Sequence, residues 1–160
     1  MDVSVSWSSG MSFTGTGPSG FVVPLGTDPG AGGADDGFRP VELLAISLAG
    51  CTAMDVISIL GKKREQVTSF EVLFHAGRQA EHPKVITAGH MLYRFSGVAI
   101  NEASVRRAIE LSVTKYCPAF AMLSRAFPIE THYEIYESRA DGSRHKVIEG
   151  AYAPEAPVDG

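Results

Sequence analysis

The chain has 160 residues, 44% of them hydrophobic and 20% charged, which suits one globular domain with a real core and excludes a disordered chain. Fourteen Lys and Arg against 18 Asp and Glu leave a net charge of −4, so no basic field gathers phosphates and nucleic acid is not an expected partner. Two cysteines, Cys51 and Cys117, are too few for a disulfide scaffold and too far apart for a zinc knuckle. They are either core thiols or the chemistry.

The opening MDVSVSWSSG has neither the basic region nor the continuous apolar stretch of a signal peptide, so the chain reads as cytoplasmic, where thiols stay reduced. Val3, Val5 and Trp7 alternate with Ser4 and Ser6, the period of a strand with one buried face, and Phe21, Val22 and Val23 suggest another. Residues 26–37, GTDPGAGGADDG, read as a flexible acidic loop.

From Arg39 the pattern changes to a helix, with Pro40 and Glu42 at its start and Gly61, Lys62 and Lys63 at its end. Its apolar residues cover nearly every face, which predicts a buried central helix under a sheet or a second subunit. Ser47, Thr52, Asp55 and Ser58 interrupt the run of about 20 apolar residues that a membrane span needs, so no membrane partner is expected.

Residues 69–76 and 85–98 read as two strands, joined by a connection containing Pro83. Residues 104–126 return to helical spacing, with Val105, Ala108, Ile109, Ser112 and Tyr116 on one stripe. Pro118 predicts a kink or restart within that helix. Residues 129–137 read as a closing antiparallel strand, and 138–160, ending in APEAPVDG, as a polar, mobile tail. The order of elements is α+β, in a single domain over 1–137.

Cys51 lies about three turns into the first helix, beyond the reach of its N-terminal partial charge, and Asp55 one turn on opposes thiolate formation. Cys117 before Pro118 takes the N-cap of a restarted helix, a place that lowers a thiol pKa. Local electrostatics therefore rank Cys117 as the better thiolate. The five histidines lack metal-site spacing and no phosphate loop or nucleophile elbow is present.

RPVELLAISLAGCTAMDV, followed by TKYCPAFAML, resembles the OsmC/Ohr family of osmotically inducible and organic hydroperoxide resistance proteins. The motifs P-x-E-L-L-x(5)-G-C-[ST]-x(2)-D-V and K-Y-C look closest to its less characterised, redox-regulated branch. The resemblance implies a β-β-β-α-β-β-α-β fold, an intertwined homodimer, and a thiol-dependent peroxidase or redox protein acting on organic or hydrogen peroxides. It implies Cys51 as the peroxidatic thiol and Cys117 as the resolving one, the reverse of the electrostatic ranking. An external dithiol would supply electrons, with no metal or bound cofactor.

In the family an arginine from the N-terminal β-region activates the thiol, oriented by a glutamate. Residues 1–38 hold no arginine or lysine, which leaves Arg39 as the nearest substitute. The acid is Glu42, nine residues before Cys51, which on a regular helix is about half a turn away from it once whole turns are removed. These departures motivate a second expectation, a non-catalytic dimeric binding or redox-sensing protein with a small hydrophobic ligand in an interface pocket.

Overall fold

The computed structural model describes residues 1–139 and 142–153; the last residues of the APEAPVDG tail fall outside them. The chain forms two compact units, Met1–Ile46 and Ser47–Gly160.

In the first unit, β1 (Ser4–Ser9), β2 (Ser12–Thr16) and β3 (Val22–Leu25) form an antiparallel sheet in that order. Gly10, at φ +50°, makes the turn between β1 and β2, a conformation cheap only without a Cβ. The alternating residues of β1 form the expected strand, but its apolar face is bare: Val5 is 61% and Trp7 66% exposed. The acidic loop is more ordered than its composition suggests. Asp28 caps a 3-10 turn at Pro29–Ala31, and Gly26 N and Phe38 N donate to Phe38 O and Pro24 O, pinning the loop's two ends.

Helix α1 spans Pro40–Lys62 and starts in the first unit. Pro40 is its first residue, and Glu42 accepts a hydrogen bond from the Arg39 N–H at 3.1 Å, half of a capping box. By length and composition the helix could cross a membrane, with a mean hydropathy of 2.0 over its most apolar stretch. It is not buried all round, as the sequence suggests. In the second unit one stripe at i, i+4, i+8 and i+12, Leu48, Thr52, Val56 and Leu60, is buried, while Met54 and Ile57 are exposed.

The second unit is built on the sheet β4 (Gln66–Arg78), β5 (Ile86–Val98), β6 (Ile129–Ser138) and β7 (Arg144–Tyr152), in that order. β4 and β5 pair antiparallel along most of their length. β6 runs parallel to β5, not antiparallel as expected. The connection between them carries helices α2 (Glu102–Leu111) and α3 (Pro118–Leu123), a crossover long enough to return the chain to the end where β5 began. Residues 144–152, read from sequence as tail, form β7 antiparallel to β6. Val147 and Ile148 are too few to have announced a strand among polar neighbours.

Inward residues of β5 and β6, Met91, Tyr93, Phe95, Tyr133 and Ile135, meet the α1 stripe and Val105, Ala108 and Ile109 of α2 in a common core. These positions alternate along each strand, as a sheet covered on one face requires. On its other face, Glu134 accepts from Arg94 at 2.8 Å and from Tyr136 at 3.0 Å, with Lys146 at 3.3 Å. Burial opposes ionisation there, but these donors outweigh it and hold the Glu134 carboxyl below the ordinary range.

Candidate functional site: a thiol pair beside a carboxylate

Cys51 and Asp55 occupy consecutive turns of α1, the i, i+4 relation that places two side chains on one face. Between them Thr52 points into the core, its hydroxyl donating to Ala49 O at 3.0 Å. Cys51 itself is half-buried.

Cys117 reaches the same place from the crossover. After α2, residues Ser112–Tyr116 form a wide π turn closed by Cys117 N–H donating to Ser112 O at 2.9 Å. Cys117 is extended, at ψ 105°, and Pro118 begins α3. The Cys117 sulfur accepts from Phe120 N at 3.3 Å, so the predicted N-cap and proline-led restart are both present. Proline removes a donor that a helix start does not use, which is why the break falls here.

Cys51 Sγ, a carboxylate oxygen of Asp55 and Cys117 Sγ all lie within 4.8 Å of one another. Ser112 Oγ donates to Asp55 Oδ2 at 3.0 Å. The two sulfurs, 66 positions apart in sequence, are brought within 4.8 Å, against the roughly 2.05 Å of a disulfide.

The ranking of Cys117 as the better thiolate is overturned. Cys117 is 3% exposed, and burial first, then its neighbour Cys51, push the thiol up to about 12. The Phe120 and Ala119 N–H groups favour the thiolate but are outweighed. A six-residue helix offers too small a dipole to reverse the loss of hydration.

Tyr93, on the β5 face turned to the helices, is fully buried, and its hydroxyl is without a hydrogen-bond partner among the described residues. Burial chiefly, and then Cys117, Asp55 and Cys51, push the phenol up, against a lowering by Thr52. The phenol is therefore neutral and within electrostatic range of the thiol site. Sequence reading singled out neither Tyr93 nor Ser112 as a site residue. The available signals were a hydroxyl on the apolar stripe of α2 and a tyrosine at an inward strand position, both of which read as packing.

Arg39 and Glu42 are brought together in the N-terminal unit. The Arg39 guanidinium pairs with Asp35 at 2.9 Å, Glu42 at 3.5 Å and Asp28 at 3.9 Å. All four side chains are partly exposed, where such pairs contribute little stability.

Two thiols and one carboxylate are also a donor set suited to a soft divalent ion with one position open. A second group, His90, Glu130 and His132, lies exposed on the outer face of the sheet. Val113, Phe120, Ile129 and Tyr152 help line a largely apolar pocket of about 280 Å³, to which neither thiol contributes.

The OsmC-like protein family matches residues 32–132. Protein YhfA of Escherichia coli K12 is 33% identical over 135 residues, covering 84% of this chain and 98% of its own. A hypothetical protein of Aquifex aeolicus VF5 superposes with a TM-score of 0.75 at 26% identity, over 86% of this chain and 97% of its own. An OsmC-like protein of Mycoplasma pneumoniae gives 0.71 at 16% identity, over 84% and 95%. An organic hydroperoxide resistance protein OsmC of Legionella pneumophila gives 0.59 at 11%, over 84% and 94%, a likeness of fold alone. The K-Y-C cap, the G-C-T-x-x-D-V helix and the sheet that brings them together therefore place this chain in the OsmC-like family.

Proposed function

We propose that the chain is a thiol-dependent peroxidase acting on organic or hydrogen peroxides, with Cys51 as the attacking thiol and Cys117 as the resolving one. The observation that carries this reading is the convergence of the only two cysteines within 4.8 Å, from a helix and a helix cap far apart in sequence. Cys51 is the more exposed of the two, as the residue that meets substrate must be. Cys117 is buried and protonated, which suits a thiol held back until an oxidised partner forms.

Attack by the Cys51 sulfur on the outer peroxide oxygen forms an S–O bond and breaks the O–O bond. The alkoxide leaves with the thiol proton as an alcohol, and Cys51 becomes a sulfenic acid. Cys117 then displaces hydroxide from that sulfur to give a disulfide and water, and an external dithiol reduces the pair again. The reading extends to a cytoplasmic homodimer, whose second copy covers the exposed apolar residues.

Cys51→Ser abolishes consumption of cumene hydroperoxide in the presence of a dithiol. Equal slow rates for the wild type and this variant would sink the proposal.

One observation favours a second reading, a non-catalytic redox-sensing or binding protein. The Asp55 carboxylate adjoins both sulfurs, a neighbour that disfavours a thiolate. Equal rates in the same assay, together with saturable binding of a small apolar ligand, are its expected outcome.

A further inference from the structure

Asp55 is the carboxylate of the thiol cluster, and the two-thiol cycle above gives it no part. Its carboxylate lies within 4.8 Å of both sulfurs. It is not left free to turn: Ser112, fully buried at the start of the π turn, donates to it at 3.0 Å. A carboxylate beside a thiol disfavours the thiolate, so its charge cannot be what activates Cys51. A held carboxylate within reach of a protonated thiol is instead an acceptor for a proton in transit.

We infer that Asp55, oriented by Ser112, is the general base that takes the Cys117 proton as the disulfide closes and returns it to the departing oxygen. The inference rests on the peroxidase reading for its oxidant, the hydroperoxide. The Cys117 S–H bond breaks toward the Asp55 carboxylate while the sulfur electron pair forms the S–S bond. The Cys51 S–O bond breaks, and hydroxide leaves with the proton from Asp55 as water. Asp55 is again a carboxylate, and sulfenic acid plus thiol has become disulfide plus water.

The geometry matches the need. Burial keeps Cys117 in its thiol form at neutral pH, so its attack requires a base at the moment of bond formation. Among the described residues, the titratable groups shown to face Asp55 include Cys51 on its own helix, Cys117 at the α3 cap and Tyr93 on β5. Tyr93 is held neutral, which leaves Asp55 as the acceptor among them.

The test uses the full chain in single-turnover oxidation with cumene hydroperoxide, trapping sulfenic acid with dimedone. In Asp55→Asn the ratio of dimedone adduct at Cys51 to disulfide rises about a hundredfold or more, the lower end of general-base effects. Alkylation of the reduced thiols by iodoacetamide becomes faster in the same variant, because a negative charge has gone. Asp55→Glu recovers part of the closure rate. Disulfide closure at the wild-type rate in Asp55→Asn overturns the inference, and so does a parallel slowing of closure and alkylation, which marks a merely structural role.

Glutathione disulfide separates this inference from the one beneath it. Cys51 takes up glutathione as a mixed disulfide, and Cys117 expels glutathione thiolate, again giving up its proton. If the wild type ignores hydroperoxide but resolves the mixed disulfide faster than Asp55→Asn does, the peroxidase reading falls and the role of Asp55 stands. If both proteins resolve it equally, or the pair forms no disulfide with either oxidant, the role of Asp55 falls.

Discussion

Cys51 and Cys117 differ less in chemistry than in solvent. Cys117 sits at a helix start, which favours a thiolate, but its 3% exposure outweighs that and pushes the thiol to about 12. Iodoacetamide mapped by mass spectrometry checks this directly. In the folded protein the buried Cys117 is modified more slowly than the half-buried Cys51, and both react alike in denaturant, where thiols return to about 8.5. The sign of the linked stability follows. A thiol raised in the folded state retains its contribution below the unfolded value and loses it as pH climbs toward the folded one, so base destabilises this fold through Cys117. Labelling of both thiols at one rate in the folded protein contradicts the assignment.

At the scale of elements, the site depends on two devices: the i, i+4 placement of Cys51 and Asp55 on α1, and the break between α2 and α3. The first was plain in the spacing of G-C-T-x-x-D. The second was legible as a break at Pro118, but the π turn that precedes it was not. Widening the helix at Ser112–Tyr116 leaves Ser112 facing Asp55 while Cys117 turns back as a cap, and no side-chain periodicity encodes that. α2 is fixed by Val105, Ala108 and Ile109 in the core. Ile109→Ala, at a fully buried position, lowers unfolding free energy by about 2 to 5 kcal/mol. Because α2 leads into the turn that bears Ser112, the same variant should slow disulfide closure. Urea unfolding measures the first effect and dimedone trapping the second.

At the scale of the molecule, the exposed apolar residues are what the proposed dimer would cover. In the N-terminal unit Val3, Val5, Trp7 and Phe21 are exposed, and in the second unit Met54, Ile57 and Met122 are. Light scattering with size-exclusion chromatography is expected to give twice the 17.1 kDa chain mass. A mass of one chain at micromolar concentration contradicts the dimer. Trp7→Asp weakens the dimer if β1 lies in the interface, and concentration-dependent scattering reads that loss.

The sequence alone determined the α+β order, the extent of α1, the restart at Pro118 and the identity of the two thiols. Each depends on local chemistry: a proline without a donor, a period of side chains, a capping residue. It misjudged the direction of β6, the strand at 144–152 and the ionisation of Cys117. Strand direction follows from how far a crossover carries the chain, and burial follows from what packs over a residue; both depend on remote segments. The carboxylate of Asp55 illustrates the division. Sequence set it one turn from Cys51 and gave it only an opposing charge, whereas folding brought Ser112 and Cys117 to it and so made it a candidate base.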